Sequence, residues 1–168
     1  AFVGFDSLES SAIVKTTHEV HGESFAIVDQ SPLYAEMGGQ VGDTGWLIAE
    51  GTTYPVLNTV KKGAAFYIKI DRPLRLKEED KPVVLKVNAE RRNAIQRHHT
   101  VTHLLHWALH EVVSKDATQK GSSVTPDKLT FDFNSAALTA QQLSDIERLV
   151  NERIVANDPV SWSEVPYV

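Results

Sequence analysis

Five of the seven histidines in this chain fall within thirteen residues, at a spacing that suits metal binding. The pattern of residues 91–110 predicts an α-helix, in which successive residues are about 100° apart. His99 and His103 then lie side by side on neighbouring turns, and so do His106 and His110. Two imidazoles so placed can hold one zinc ion, but zinc normally has four ligands, or three and a water molecule. A helix face of hydrated histidines explains the same spacing.

The rest of this segment is typical of an amphipathic helix. Leu104, Leu105 and Ala108 gather on the side opposite the histidines. Asn88 is a suitable N-cap, and Glu90 suits the positive end of the helix dipole. We therefore expect a long helix that buries one face and presents imidazoles on the other.

A glycine-rich segment upstream holds a second group of reactive side chains. Four glycines lie within eight residues, among them Gly38 and Gly39. Glycine allows positive φ angles and a close approach of the backbone to a ligand. Glu36, Gln40 and Asp43 add carboxylate and amide groups, so the segment is a candidate substrate-binding loop. A tight connection between two strands is the simpler alternative.

Composition describes an ordinary soluble protein of 168 residues, with 42% hydrophobic and 23% charged residues. No apolar run approaches the roughly eighteen residues that span a membrane, and no signal peptide is apparent. The absence of cysteine excludes disulfides and thiolate ligands and is compatible with the cytosol. A net charge of −5 argues against broad nucleic-acid binding, although Arg91, Arg92 and Arg97 form a local basic cluster. The chain lacks an initial methionine, and we expect it to be part of a larger protein.

The pattern of elements predicts an α+β fold. Residues 1–88 contain six short runs rich in β-branched and aromatic residues, which predict a small β-barrel-like subdomain. Residues 89–168 predict an α+β subdomain that opens with the histidine-bearing helix. Two strands at residues 122–124 and 128–133 follow a polar loop that ends at Gln119-Lys-Gly. A capping box at Thr139 then starts a second helix, and an extended segment follows Pro159.

Several short motifs together make the chain similar to a known family. In order they are Phe2-Val-Gly-Phe-Asp, Pro32-Leu-Tyr-Ala-Glu-Met-Gly-Gly-Gln-Val-Gly-Asp, Arg91-Arg, His99-Thr-Val-Thr-His103, Gln119-Lys-Gly-Ser and Leu129-Thr-Phe-Asp-Phe. Each motif is weak alone, but in this order the chain resembles, over nearly its whole length, the editing domain of alanyl-tRNA synthetase. Free-standing alanyl-tRNA editing proteins are related, but the first motif resembles the junction that follows the aminoacylation part of a full synthetase.

The resemblance implies hydrolysis of seryl- or glycyl-tRNA made by mistake on the alanine-specific tRNA, within an ATP-dependent cytoplasmic ligase. In this family a His-x-x-x-His pair, matched by His99 and His103, binds zinc with a downstream Cys-x-x-x-His that this chain lacks. Gln119 matches the family glutamine near the site. Met37 replaces the serine usual in the loop, which puts the substrate contacts of the loop in doubt.

From these matches we predict roles for the remaining polar residues. The expected catalytic residues are Gln119, Glu36 and Gln40. The expected substrate-binding residues are Gly38, Gly39, Asp43, Arg91, Arg92 and Arg97, with the arginines meeting tRNA phosphates. The expected partners are tRNA and the remainder of the synthetase, with no membrane.

Other functional classes stay open at this level. The chain could be a free-standing deacylase, a tRNA-binding or interdomain module without catalytic activity, or a structural zinc domain. His106 and His110 are outside the family pattern, and a hydrated helix face explains them. His18 and His21 are further candidate zinc ligands, but His21-Gly22 is explained more simply as a turn.

Overall fold

The computed structural model describes residues 1–77, 81–161, 163 and 165 of the chain. Contacts between Cα atoms divide these residues into two compact units. The first unit comprises residues 1–99 and 123–130, and the second comprises residues 100–122 and 131–168, except those not described. The division at residue 88 that the sequence suggests stays a prediction.

The first unit is built on one seven-stranded sheet in which every pair of neighbours is antiparallel. Its strands are β1 (Glu9–Ala12), β2 (Val14–Val20), β3 (Glu23–Val28), β4 (Gly45–Ala49), β5 (Thr52–Lys62), β6 (Ala65–Ile70) and β7 (Val83–Val87). Across the sheet the order is β1-β7-β4-β5-β6-β3-β2.

The connection between β1 and β2 shows that this sheet curls. These strands are at opposite ends of the strand order, yet only Ile13 separates them in sequence. Ala12 and Val14 are two residue steps apart and are therefore separated by at most about 7 Å, so the two edge strands must come together there. The N–H of Ile13 donates to Asp29 Oδ1 at 2.8 Å, which ties the junction to the end of β3. The predicted barrel-like subdomain is thus confirmed.

Alternation of apolar residues explains why these segments are strands. In β6, Phe66, Ile68 and Ile70 are buried in the core, while Tyr67 and Lys69 point to the other face and are half-buried. The inward residues of β3, β4, β5 and β7 join the same core. Burial of one face in this way sets the register, because a slip by one residue would expose every core side chain.

Strand β2 was only partly predicted from the sequence. The first of the six predicted runs is Ala12-Ile-Val-Lys and ends at Lys15, whereas the strand continues to Val20 with all residues from Lys15 onward exposed. An edge strand with few buried side chains lacks the apolar alternation on which the prediction rested. The remaining signal was its β-branched residues, Thr16, Thr17 and Val20.

The predicted helix is present as α1 (Ala89–Val112), 24 residues long. Asn88 caps it as expected, since Asn88 Oδ1 accepts a hydrogen bond of 3.1 Å from the N–H of Arg91. Residues of α1 up to His99 cluster with the first unit, and those from Thr100 onward cluster with the second.

Two strands and a helix follow α1: β8 (Gln119–Val124), β9 (Leu129–Phe133) and α2 (Ala140–Ala156). Strand β8 begins at Gln119, so the prediction of a polar loop there was wrong. The Thr118 and Asn134 backbones pair just outside the strands, and Asn134 Oδ1 accepts from the Thr118 hydroxyl. These contacts hold residues 119–121 in the strand despite their polar composition.

Helix α2 has the predicted capping box. Thr139 Oγ1 accepts from the N–H of Gln142 at 3.2 Å, and Gln142 Oε1 accepts from the N–H of Thr139 at 3.0 Å. Ile146 and Val150 of α2 are buried with Ala108, Leu109 and other apolar residues of the second unit. The extended segment predicted after Pro159 lies partly outside the described residues.

The α+β fold class is therefore confirmed, and the described residues form one curled sheet, one two-stranded sheet and two helices. Neither α1 nor α2, the helices of the described residues, has the length and apolar character that a membrane crossing requires.

Candidate functional site

The glycine-rich segment forms a tight turn on the first unit. Met37 and Gln40 exchange backbone hydrogen bonds of 3.2 and 3.1 Å around Gly38 and Gly39. Both glycines have positive φ, 61° and 82°, a conformation that side chains with a Cβ adopt rarely. The turn is fixed further because the N–H of Val124 donates to Gly39 O at 2.8 Å. Residues 37–40 thus form a tight turn held by backbone hydrogen bonds within the long connection from β3 to β4, and this segment also presents polar side chains.

The side chain of Gln40 links this turn to α1. This side chain is buried, and Gln40 Oε1 lies 2.5 Å from His99 Nδ1. An amide oxygen can only accept a hydrogen bond, so His99 donates from Nδ1, and a neutral His99 then carries its lone pair on Nε2. A histidine that ligates a metal through one ring nitrogen normally donates from the other in this way. The structure therefore brings together two of the predicted site residues, Gln40 and His99.

His98, next to His99 on α1, makes a similar contact that the sequence analysis missed. Its Nδ1 lies 2.8 Å from the carbonyl oxygen of Thr125, in the turn after β8. The carbonyl oxygen accepts, so His98 also holds its hydrogen on Nδ1. The two neighbouring imidazoles therefore have separate partners, one in the glycine turn and one near the tip of the β8–β9 hairpin. In the sequence, the one feature that could have pointed to His98 is its position directly before the motif His99-Thr-Val-Thr-His103.

Asp43 and Arg92 form a buried ion pair below the turn. Their side chains are 1% and 4% exposed, and Asp43 Oδ2 accepts hydrogen bonds from two nitrogens of Arg92, Nε at 2.9 Å and Nη2. The N–H of Tyr34 donates to the same oxygen at 2.7 Å. The guanidinium also donates to the carbonyl oxygens of Gly4 and Pro32. In this geometry the pair fixes the segment from Pro32 to Asp43 against the start of α1.

Burial changes the roles that these two residues can take. All three nitrogens of the Arg92 guanidinium donate to protein acceptors, and the Asp43 carboxylate is enclosed by protein. Contact with a substrate or a phosphate, as predicted from the sequence, would require this network to open. We therefore assign them to the support of the loop.

Of the other two arginines, Arg91 is half-buried and donates from Nη1 to the carbonyl oxygen of Gly42 at 2.9 Å. Arg97, six residues further along α1, is exposed. Arg97 is therefore the arginine of this group most accessible to a phosphate.

The exposed edge of the loop holds Glu36 and Met37. The backbone N–H of Glu36 donates to Thr59 O at 2.9 Å, and its carboxylate accepts from Asn58 Nδ2 at 3.4 Å. Met37 is 65% exposed on the turn. The carboxylate is thus accessible to solvent on an anchored backbone, and Asn58 is a neighbour that the sequence analysis did not identify.

Tyr34 stands between this edge and the buried ion pair. Burial, and then the negative charge of Asp43, raise the pKa of the Tyr34 phenol above its usual value of 10.0. Its hydroxyl donates to the carbonyl oxygen of Met37 at 3.4 Å. Tyr34 therefore stays neutral and braces the glycine turn.

The second unit contains the other predicted residues. Gln119 is exposed on β8, and its Nε2 donates to Ser122 Oγ at 2.9 Å. His103 is exposed on α1. His106 and His110 both direct Nε2 at the carbonyl oxygen of Ala117, at 3.3 and 2.6 Å. These last two histidines therefore hold the end of α1 to the loop that follows it, and they are not simply a hydrated face.

The described residues do not by themselves fit a zinc site. Nowhere among them do three or more His, Cys, Asp or Glu side chains converge so that they could hold a metal ion. His99 and His103, four residues apart on α1, supply at most two of the four ligands that zinc takes.

Comparison with known proteins identifies the family of the chain. A model of the family described as tRNA synthetases class II (A) matches residues 5–91. The chain belongs to the class II (A) tRNA synthetase family. The match includes the glycine turn, the Asp43 carboxylate and the start of α1.

Individual relatives in this family extend the likeness over nearly all of the chain. The alanine–tRNA ligase of Akkermansia muciniphila is 45% identical over 168 residues, and that of Methylacidiphilum infernorum is 44% identical over 170. Each alignment covers 99% of this chain but only 18% of the relative. The alanine–tRNA ligase of Opitutus terrae is 38% identical with the same coverage. The chain thus spans about a fifth of the length of these class II relatives.

Proposed function

We propose that this chain is part of the editing module of an alanine–tRNA ligase, which hydrolyses seryl- or glycyl-tRNA formed in error. The observation that carries the proposal is the contact of Gln40 with His99, because it joins the two motifs that the editing resemblance depends on. The similarity to alanine–tRNA ligases over 99% of the chain supports the same assignment.

Such an activity answers a physical need of the parent enzyme. A pocket shaped for alanine rejects an added hydroxyl or a missing methyl by only about 10–200-fold. A second site that hydrolyses the wrong ester raises the overall accuracy. Ester hydrolysis then needs a held substrate, a positioned water and stabilisation of the developing oxyanion.

The residues of this chain divide into two roles in this proposal. Glu36 of the first unit is exposed, and its carboxylate is available to the aminoacyl ester or its water. Gln119 is exposed on the second unit and keeps the catalytic role that the family resemblance implies. Gln40, Asp43 and Arg92 are buried, and they position the turn and the His99 ring instead of touching substrate. Arg97 is exposed and meets tRNA phosphate, so we expect binding to weaken with salt.

Zinc is part of the proposal only as a group to which this chain contributes. Bound zinc would act as a Lewis acid or orient the end of the tRNA. His99 and His103 would supply two ligands, and the remaining ligands would come from elsewhere. We therefore expect the 168-residue chain to deacylate seryl-tRNA slowly or not at all.

The test is a deacylation time course with seryl-, glycyl- and alanyl-tRNA. It compares this chain with a longer protein that continues it toward the length of the relatives. We expect the longer protein to hydrolyse seryl- or glycyl-tRNA, to spare alanyl-tRNA, and to lose activity with His99→Ala or His103→Ala. His110→Ala, on the same helix, is the matched control and should stay active. Inactivity of the folded longer protein toward both mischarged tRNAs would refute the editing function and favour a tRNA-binding module.

A further inference from the structure

The face of the curled sheet that points away from its core carries a cluster of rings and ammonium groups. Pairing across β2, β3 and β6 aligns His18 with Phe25 and Phe25 with Lys69. Tyr67 and Lys62 lie on the same outer face of β6 and β5, because the alternate residues of these strands form the core. We refer to these five residues as the outer patch.

Tyr67 is the centre of the outer patch. Its ring centroid is 6.3 Å from that of His18 and 6.4 Å from that of Phe25. The Lys62 ammonium lies 5.3 Å from the same ring. Phe25 and Tyr67 are half-buried, while His18 and Lys62 are exposed. The rings thus stand at the surface of the strands, within reach of a flat ligand.

The charge of the outer patch is opposite to that of the chain as a whole, which has a net charge of −5. Among the outer-facing residues of β2, β3, β5 and β6, all of them described, Glu23 is the one carboxylate, and it pairs with Lys69. Lys62 therefore adds a positive charge that this ion pair does not balance. Lys61, next to Lys62 in β5, points to the opposite face, because it pairs with the core residue Phe66.

Surface rings flanked by cations are the combination that binds single-stranded or exposed nucleotides. Bases stack on aromatic side chains, and lysines meet the phosphates between them. An antiparallel sheet with one face toward water normally carries polar residues there, so three adjoining rings on that face need a reason. A protein partner would be favoured by a more apolar surface with fewer lysines.

We propose that the outer patch is an RNA-binding surface, on which the alanine-specific tRNA stacks an exposed base against Tyr67 and His18. Lys62 neutralises an adjoining phosphate. Lys69 leaves its ion pair with Glu23 and contacts a second phosphate. The choice of tRNA as the RNA rests on the proposed function. The surface is distinct from the glycine turn and from the arginines of α1, which the editing proposal uses.

The test measures binding of fluorescently labelled, uncharged alanine-specific tRNA to the 168-residue chain by anisotropy at several salt concentrations. We expect Lys62→Glu to weaken binding and to lower the slope of log affinity against log salt by about one. Tyr67→Leu should weaken binding about 5–100-fold with no change in the salt slope, because a stacking contact is uncharged. Lys77→Glu is the matched control, an exposed lysine of the same unit outside the patch, and should bind as the unchanged chain does.

Different results separate this proposal from the editing function. If the unchanged chain, Lys62→Glu and Tyr67→Leu bound the tRNA with equal affinity, the proposal that the outer patch binds RNA would be wrong, whatever the deacylation assay shows. Self-association that Lys62→Glu abolishes, measured by sedimentation without RNA, would overturn it in favour of a contact between copies. Loss of binding in both patch variants, to the tRNA and to an unrelated RNA hairpin alike, would support an RNA surface even if the editing function failed. Circular dichroism of each variant checks that the sheet is intact.

Discussion

Gln40 Oε1 accepts a 2.5 Å hydrogen bond from His99 Nδ1, and this contact joins the glycine turn to α1 across 59 residues of sequence. Gln40 is buried, so its amide has a fixed direction. The amide selects one tautomer of His99, with the hydrogen on Nδ1 and the lone pair on Nε2. The glycine turn thus decides which nitrogen of a predicted metal ligand can coordinate.

Replacement of Gln40 by alanine should therefore change the tautomer of His99. We expect nitrogen NMR of the imidazole rings to show His99 protonated on Nδ1 in the unchanged chain and largely on Nε2 in Gln40→Ala. His98, whose Nδ1 donates to Thr125 O, is an internal control and should not change. A His99 spectrum that is identical in both proteins would show that Gln40 does not select the tautomer.

The buried pair of Asp43 and Arg92 should contribute strongly to stability. Arg92→Leu leaves the Asp43 carboxylate buried without its counter-charge, and Asp43 Oδ1 already has no hydrogen-bond partner. We expect the free energy of unfolding in urea to fall by about 3–5 kcal/mol. Arg97→Leu, an exposed arginine of the same helix, should change it by less than about 0.5 kcal/mol.

A double variant tests the reason for that loss. Asp43→Leu combined with Arg92→Leu removes both charges, so it should be less destabilised than Arg92→Leu alone. If Arg92→Leu unfolded with nearly the same free energy as the unchanged chain, the pair would not hold the loop.

Metal binding by this chain should be weak. Two histidines leave two zinc positions to water or a stray ligand, so we expect less than one zinc per chain after dialysis. Elemental analysis measures the content, and His99→Ala or His103→Ala should lower any residual uptake. A double variant, His106→Ala with His110→Ala, shows how much metal the other histidine pair takes. One tightly held zinc per dialysed chain would contradict this expectation.

A chelator should leave the fold intact, because both units have apolar cores that do not involve metal. The near-ultraviolet circular dichroism should be the same before and after EDTA. Loss of this signal would identify the chain as a structural metal domain.

Tyr34 should make stability depend on alkaline pH. Its pKa is raised in the folded chain by burial and by Asp43, so the folded state favours the neutral phenol. This contribution is complete below the unfolded pKa of about 10, and it declines as pH rises from there through the folded pKa. Urea unfolding between pH 8 and 11 should therefore show a fall in free energy that is smaller in Tyr34→Phe. Parallel curves for both proteins would show that Tyr34 does not cause it.

Local pattern determined the helices and most strands of this protein. Asn88 and Thr139 cap α1 and α2 as predicted, because a cap depends on groups within three residues of each other in sequence. The core strands were predictable because burial of one sheet face imposes alternation. Strand β2 buries few side chains, so the alternation was weak there and the prediction was incomplete. The start of β8 at Gln119 is held by flanking side chains, so the alternation was weak there too and the prediction failed.

The sequence by itself also determined which motifs were candidates for function, since His99, Gln40 and Asp43 stand in recognisable short patterns. Only the tertiary structure decided their roles. Asp43 and Arg92 are 49 residues apart, and no local rule shows that each is the other's buried counter-ion. Pairing across the sheet likewise brought His18, Phe25 and Tyr67 into one surface. Such roles depend on burial and on which strands are neighbours, and these arise from the packing of segments that are distant in sequence.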